Sequence, residues 1–200
     1  MLTAYPKTKK LDPEDAIVLG GICWERFQKI QHAFDGIAGL RLTYCEGMLQ
    51  IMPISKTHEF ICYQLGLLLG LFFLWKRIQF FPSGAYTQKV EGQTEFQADL
   101  SYSFEMDKDV PDLCIEVVLT SGGIDKLRKY QLRGIPEVWL WQDQQIAVYL
   151  LEDGNYQLRE KSRLFPDLDL TFLCECISQN DPLAASLKFQ ASLNLIKNLC

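Results

Sequence analysis

An α/β domain with a central mixed β-sheet flanked by helices is predicted from three features of the sequence. Residues 40–53 alternate apolar and polar side chains as half-buried strands do, while residues 24–35 repeat their apolar side chains at helical spacing. Between Leu113 and Trp141 a β-rich run, a Gly-rich turn, a short helix and a second β-rich run follow one another, a crossover unit that sets its two strands parallel. The 200 residues are 48% hydrophobic and 22% charged, with Lys+Arg 20 against Asp+Glu 25 for a net charge of -5. That composition excludes a disordered or collagen-like chain and fits one globular domain able to bury its own core.

The elements follow in order. Residues 1–19 read as an N-terminal tail, basic from Lys7 to Lys10. Trp24, Phe27 and Ile30 give a helix that stops near Asp35-Gly36. Leu40, Leu42 and Tyr44, the turn Glu46-Gly47, then Leu49, Ile51 and Pro53 form a hairpin. Residues 60–75 carry no charge and read as a buried helix, apolar all round and so covered by the sheet and by a second subunit. An extended stretch from Ile78 to Val90, broken at Pro82-Ser83-Gly84, turns at Glu91-Gly92 into a strand near Gln97 to Phe104. In the next strand Leu113, Ile115, Val117 and Leu119 face one way and Asp112, Cys114, Glu116 and Val118 the other. The turn Thr120-Ser121-Gly122-Gly123 opens a helix over 124–133 that Gly134 stops. Strands at 137–141, 145–151 and 156–160 and helices at 172–178 and 183–200 complete the chain, with 20–180 as the domain and 181–200 as a C-terminal helix.

Seven cysteines, an odd number in mostly apolar settings and without a secretory leader before them, suggest reduced thiols in a cytoplasmic protein. Cys174 and Cys176 are the closely spaced pair, and with no matching Cys or His pair their expected role is packing. The uncharged run 60–75 is shorter than the roughly 18 to 20 residues that span a bilayer, so no membrane is expected as a partner.

Histidine chemistry has little to draw on, because His32 and His58 are the two histidines and no Gly-x-Ser-x-Gly turn is present. The carboxylates say more. Asp99 and Glu116 each interrupt an apolar β run, in Ala98-Asp99-Leu100 and Ile115-Glu116-Val117. A buried carboxylate is costly unless it is paired or binds a metal. Two of them on neighbouring strands, with Lys126 just beyond, would make an acidic pocket for a hard cation with a lysine beside it. Each also has a plainer role: Asp99 could cap a strand, Glu116 could form a structural ion pair with Lys126, and Lys126 could be a solvated helix lysine beside Arg128, Lys129 and Arg133.

The succession Gln97-Ala-Asp99-Leu-Ser, Pro111-Asp-Leu-Cys-Ile-Glu116-Val, Asp125-Lys126-x-x-x-Tyr130 and Gly134-Ile-Pro-Glu-Val-Trp139 resembles the restriction-endonuclease-like family of bacterial proteins of unknown function, within the PD-(D/E)XK nuclease superfamily. The resemblance spans about residues 20–175, including the hairpin before Pro53 and the Phe165-Pro-Asp-Leu-Asp-Leu170 ending. It implies a restriction-endonuclease-like fold and Mg²⁺- or Mn²⁺-dependent hydrolysis of phosphodiester bonds. Asp99 and Glu116 are then the catalytic metal ligands and the carbonyl of Val117 is a third. The superfamily's lysine usually stands two residues after the glutamate, where this chain has Val118. Lys126, and neither Arg128 nor Lys129, is expected to take that role, as the basic residue nearest the strand end after Glu116. His58 and Glu59 are additional candidates, since related nucleases often place an acidic residue on an early helix.

Two functions follow. The first is a metal-dependent endonuclease acting on nucleic acid, DNA being the expected substrate, and assembled as a homodimer. The second is a nuclease-fold protein that has lost its chemistry and serves as a binding or assembly module, which Val118 and the acidic net charge favour. Basic clusters at Lys126, Arg128, Lys129 and Arg133 and at Arg159, Lys161 and Arg163 could still make a positive face.

Overall fold

The computed structural model describes residues 16–84, 86–119 and 126–197. The chain runs β1 (Ile17–Leu19), α1 (Trp24–Ala33), β2 (Leu40–Cys45), β3 (Met48–Pro53), α2 (Lys56–Lys76), β4 (Phe80–Pro82), β5 (Thr87–Val90), β6 (Thr94–Gln97), β7 (Leu100–Phe104) and β8 (Leu113–Val118). It continues with α3 (Leu127–Arg133), β9 (Glu137–Gln142), β10 (Gln145–Glu152), β11 (Asn155–Arg159), α4 (Leu170–Ile177) and α5 (Pro182–Lys197).

The central mixed sheet is six-stranded, in the order β11-β10-β9-β8-β7-β4. Its one parallel pair among the described residues is β8 with β9, joined through α3 as the crossover rule requires. A second, antiparallel sheet, β1-β3-β2-β6-β5, is not distinguished by the sequence pattern. Its hairpin between β2 and β3 pairs Cys45 with Met48 around a two-residue turn, with Glu46 at φ 44° and Gly47 at φ 88°. Positive φ at both central positions matches the twist of the flanking strands, and glycine adopts it without strain at the second.

Strand β1 corrects the tail boundary, because Ile17–Leu19 pairs with β3 and belongs to the sheet. The basic stretch 7–10 and the glycine turn 120–123 lie outside the described residues. The strand expected from Gln97 to Phe104 is also corrected. It is two strands, β6 in the smaller sheet and β7 in the larger, and the chain changes sheets at Ala98-Asp99.

Helix α2 is the core helix. Ser55 caps it, accepting from the N–H of His58 at 3.1 Å. Leu65, Leu68, Leu69 and Phe73 are fully buried, and Phe73 meets the rings of Phe80, Tyr102, Phe104 and Phe165 at 5.0 to 5.5 Å. By length and composition α2 could cross a membrane, yet its inward face is packed against the mixed sheet, α4 and α5. Within the single chain Tyr63 and Leu74 on its other face stay exposed. Helix α5 docks through Ala185, Phe189 and Leu193 into the core that α2 occupies. On the other side of β8, Cys114 packs with Leu127, Tyr130, Val138 and Leu140. β8 is thus buried on both faces, with its odd-numbered apolar residues toward α2 and Glu116 among the others.

Candidate functional site

The site forms where the two sheets meet. The β7 to β8 ladder runs Tyr102 to Leu113, Ser101 to Cys114 and Leu100 to Ile115, and the same register carried one residue further sets Asp99 opposite Glu116. The ladder stops there because the chain leaves for the smaller sheet, which would strand the N–H of Val117. The Asp99 side chain takes the ladder's place and accepts from that N–H at 2.7 Å.

Asp99 is almost completely buried, so its charge needs partners. It accepts from Arg41 on β2, and His58 Nε2 in the first turn of α2 lies 3.1 Å from Oδ2. Burial raises the Asp99 pKa, but the His58 hydrogen bond and charge, Arg41 and the Val117 N–H outweigh it and pull the group down to about 2. In return, burial lowers the His58 pKa, and the Asp99 contact overcomes this to raise it above its ordinary value. Glu59 is half-exposed at the rim, with its Oε1 3.2 Å from His58 Nδ1 and 3.7 Å from Arg41 Nη2.

Glu116 is buried too, at 3% exposure. Lys129 Nζ reaches both its oxygens at 3.2 Å, Lys126 Nζ lies 3.4 Å from Oε1, and the Tyr130 hydroxyl donates to Oε2. Burial first, then the charge on Glu116, holds the Tyr130 hydroxyl well above its ordinary pKa, so it stays a donor. Lys126 lines the cleft with Val117 and Leu119 at the end of β8, and Lys129 joins it at Glu116. Lys126 and Lys129 both reach Glu116, Lys129 being the closer and the more buried, because three residues of helix bring both to one face. Arg133 does not join them, and pairs instead with Asp109 and Gln88. Arg128 pairs with Glu46 on the β2–β3 turn.

A cleft opens above these groups, lined by Arg41, His58, Glu116, Val117 and Lys126 with Met52, Ile54 and Leu119 as its apolar wall. The structure thus gathers Asp99, Glu116, Val117, Lys126 and His58, with Glu59 at the edge. Sequence reasoning missed Arg41, although Leu40-Arg41-Leu42 puts a charge inside an apolar β run, the same signal that marks Asp99 and Glu116. It also missed Cys62, whose Sγ is 3.5 Å from His58 Nδ1. The carboxylate and carbonyl oxygens of Asp99, Glu116 and Val117 are hard donors that fit Mg²⁺ or Mn²⁺. In this arrangement cationic side chains stand against both carboxylates.

A mixed sheet with a βαβ crossover, joined to a hairpin sheet over two buried carboxylates, is a restriction-endonuclease-like architecture. A family model described as "Uma2: Putative restriction endonuclease" matches residues 24–179, and the chain belongs to that family. Among solved structures the chain is similar to "a putative nuclease belonging to DUF820 from Anabaena variabilis", at 16% identity and a TM-score of 0.49, over 68% of this chain and 90% of that one. No curated protein matches the sequence.

Proposed function

We propose that the protein is a metal-dependent endonuclease that hydrolyses phosphodiester bonds of nucleic acid, DNA foremost, at the cleft over Asp99 and Glu116. The observation that carries this reading is the Val117 N–H to Asp99 contact at 2.7 Å, which holds one carboxylate beside the strand that presents the other. Asp99, Glu116 and the Val117 carbonyl would hold Mg²⁺ or Mn²⁺. When bound, such a cation polarises the scissile phosphate and lowers the pKa of a water.

The chain's own residues prepare the rest. Val117 N–H and Arg41 fix the Asp99 carboxylate, and Lys129 and Tyr130 fix Glu116. Lys126, which lines the cleft while still in reach of Glu116, is placed to neutralise charge developing on the phosphate and to orient the attacking water. The homodimer is part of the same proposal, suggested by the exposed apolar residues Tyr63, Leu67 and Leu74 on α2 and read by light scattering.

Incubating the purified protein with duplex DNA, single-stranded DNA and RNA, with Mg²⁺, Mn²⁺ or EDTA, tests the activity. Cleavage that EDTA abolishes and Asp99→Asn removes supports it. A second reading, a nuclease fold that binds nucleic acid without cutting it, draws on Val118 at the usual lysine position and on the side-chain cations already set against both carboxylates. Metal-independent binding without cleavage of any substrate would favour it.

A further inference from the structure

The nuclease reading leaves Cys62 without a task. Cys62 lies one turn after His58 on α2, a spacing that puts both side chains on one face. Its Sγ is 3.5 Å from His58 Nδ1 and 3.9 Å from Nε2, and Nε2 is 3.1 Å from Asp99 Oδ2. One donor atom from each of the three residues lies within 4.8 Å of the other two. Bonds of about 2.0 to 2.3 Å at tetrahedral angles hold nitrogen, oxygen and sulfur donors about 3.3 to 3.6 Å apart. The two distances from Nε2 bracket that span, and the third side, from Cys62 Sγ to Asp99, is within 4.8 Å.

The donors are also held in place by separate means. Ser55 caps the turn that carries His58, the Val117 N–H anchors Asp99, and Cys62 is buried at 8% exposure. Imidazole and thiolate suit a borderline cation such as Zn²⁺, whereas Mg²⁺ takes oxygen donors and ignores sulfur.

We propose that His58, Cys62 and Asp99 form a three-ligand site for a divalent cation of the Zn²⁺ class, with a fourth position left for water. Coordination replaces the thiol proton of Cys62 and the proton that His58 Nε2 holds toward Asp99, and both pass to solvent. Asp99 Oδ1 is engaged by Arg41, which leaves Oδ2, beside His58 and the Val117 N–H, as the oxygen to offer a cation, so this ion and an oxygen-ligated Mg²⁺ compete for it. That competition, unlike the zinc site itself, rests on the nuclease reading.

The test uses the full chain, stripped with EDTA and returned to chelator-free buffer, and titrates it with Co²⁺ alone. Thiolate ligation produces a ligand-to-metal charge-transfer band in the near ultraviolet, and Zn²⁺, which is silent there, should bleach it. The expected result is a band that saturates at one equivalent, persists in Cys45→Ala, and is lost in both Cys62→Ala and Cys62→Ser. Zn²⁺ affinity should fall at least about tenfold in Cys62→Ser and in His58→Gln, since even outer-shell partners of a metal are worth that much. Circular dichroism of each variant shows that the fold is kept. A wild type without a thiolate band, or a band unchanged in both Cys62 variants, overturns the site. Excess Mg²⁺ should weaken Co²⁺ binding by competition. A Cys62-dependent band that Mg²⁺ leaves untouched keeps the zinc site and overturns the shared use of Asp99.

Discussion

Val117 N–H donates to Asp99 Oδ2 at 2.7 Å, a side-chain contact that continues the β7 to β8 ladder after its main chain has turned away. Its consequence is that the two carboxylates of the site are positioned by one strand, Glu116 as a residue of β8 and Asp99 through the N–H that follows it. Neutral isosteres keep most of this geometry while removing charge. In Asp99→Asn and Glu116→Gln we expect Mg²⁺ and Mn²⁺ affinity to be largely lost by calorimetry, and metal-dependent cleavage to fall by roughly 10² or more. Unchanged metal affinity in both variants would show that the cation is held elsewhere.

Much of this is legible in the sequence, and what is not has physical causes. The hairpin at Glu46-Gly47, the crossover through α3 and the buried run of α2 depend on local pattern, and each stands where the pattern predicts it. The change of sheet at Ala98-Asp99 is illegible because residues on both sides of it are β-formers, and pattern along a chain does not say which neighbour a strand pairs with. Strand β1 reads as tail because a three-residue edge strand carries little pattern of its own. In the site, Asp99 and Glu116 stand out as charges inside apolar runs, but their partners do not. Arg41 comes from 58 residues before Asp99, and no spacing rule joins them.

Lys126 and Lys129 share Glu116, yet the cleft divides their work. Lys126 lines the cleft, and its side chain keeps 13% exposure, whereas Lys129 keeps 5% and sits beneath Glu116 against the rings of Phe96 and Tyr130. Lys126→Ala should leave the melting temperature nearly unchanged and lower turnover by roughly 10² to 10³, the worth of one electrostatic group at a transition state. Lys129→Ala leaves a buried carboxylate with fewer partners and should cost about 1 to 3 kcal/mol of stability in urea titration. If the two effects are exchanged, with Lys129 decisive for turnover and Lys126 for stability, the roles are reversed.

The Asp99–His58 pair makes the stability of the metal-free protein depend on pH in both directions. Asp99 is pulled from an ordinary 3.8 to about 2 in the folded state, so its contribution is complete above about pH 4 and is lost as the pH falls toward 2. The shift corresponds to roughly 2 kcal/mol. His58 is raised above its ordinary 6.5, so its contribution is complete below that value and is lost as the pH rises through the folded pKa. Urea titrations in EDTA should therefore give a stability maximum between about pH 4 and 6.5 from this pair. His58→Gln should remove the decline on the alkaline side and shrink the one on the acid side, and an unaltered profile would deny the coupling.

Glu137 supplies the last prediction, because the sequence motif that includes it proves structural. Its side chain is buried, and no salt-bridge partner stands against it among the described residues. Four donors satisfy it instead: Trp139 Nε1 and the Ser162 hydroxyl on one oxygen, both at 2.6 Å, and the N–H groups of Arg163 and Leu164 on the other, at 3.1 and 3.3 Å. The carboxylate thereby ties the start of β9 to the segment that brings Phe165 into the aromatic cluster around Phe73. A carboxamide cannot replace it, since whichever way the new side chain turned, its NH₂ would face donors and leave some of them unpaired. Glu137→Gln should cost about 1 to 3 kcal/mol in chemical denaturation, and Ser162→Ala a similar amount, because the hydroxyl that donates to Glu137 also accepts from the Phe165 N–H at 2.9 Å and its loss leaves that N–H unpaired. Metal affinity and turnover of the folded fraction should stay at wild-type values, since Glu137 is not among the residues that line the cleft. A loss of Mg²⁺ binding in a fully folded Glu137→Gln protein would instead place this carboxylate among the groups that serve the site.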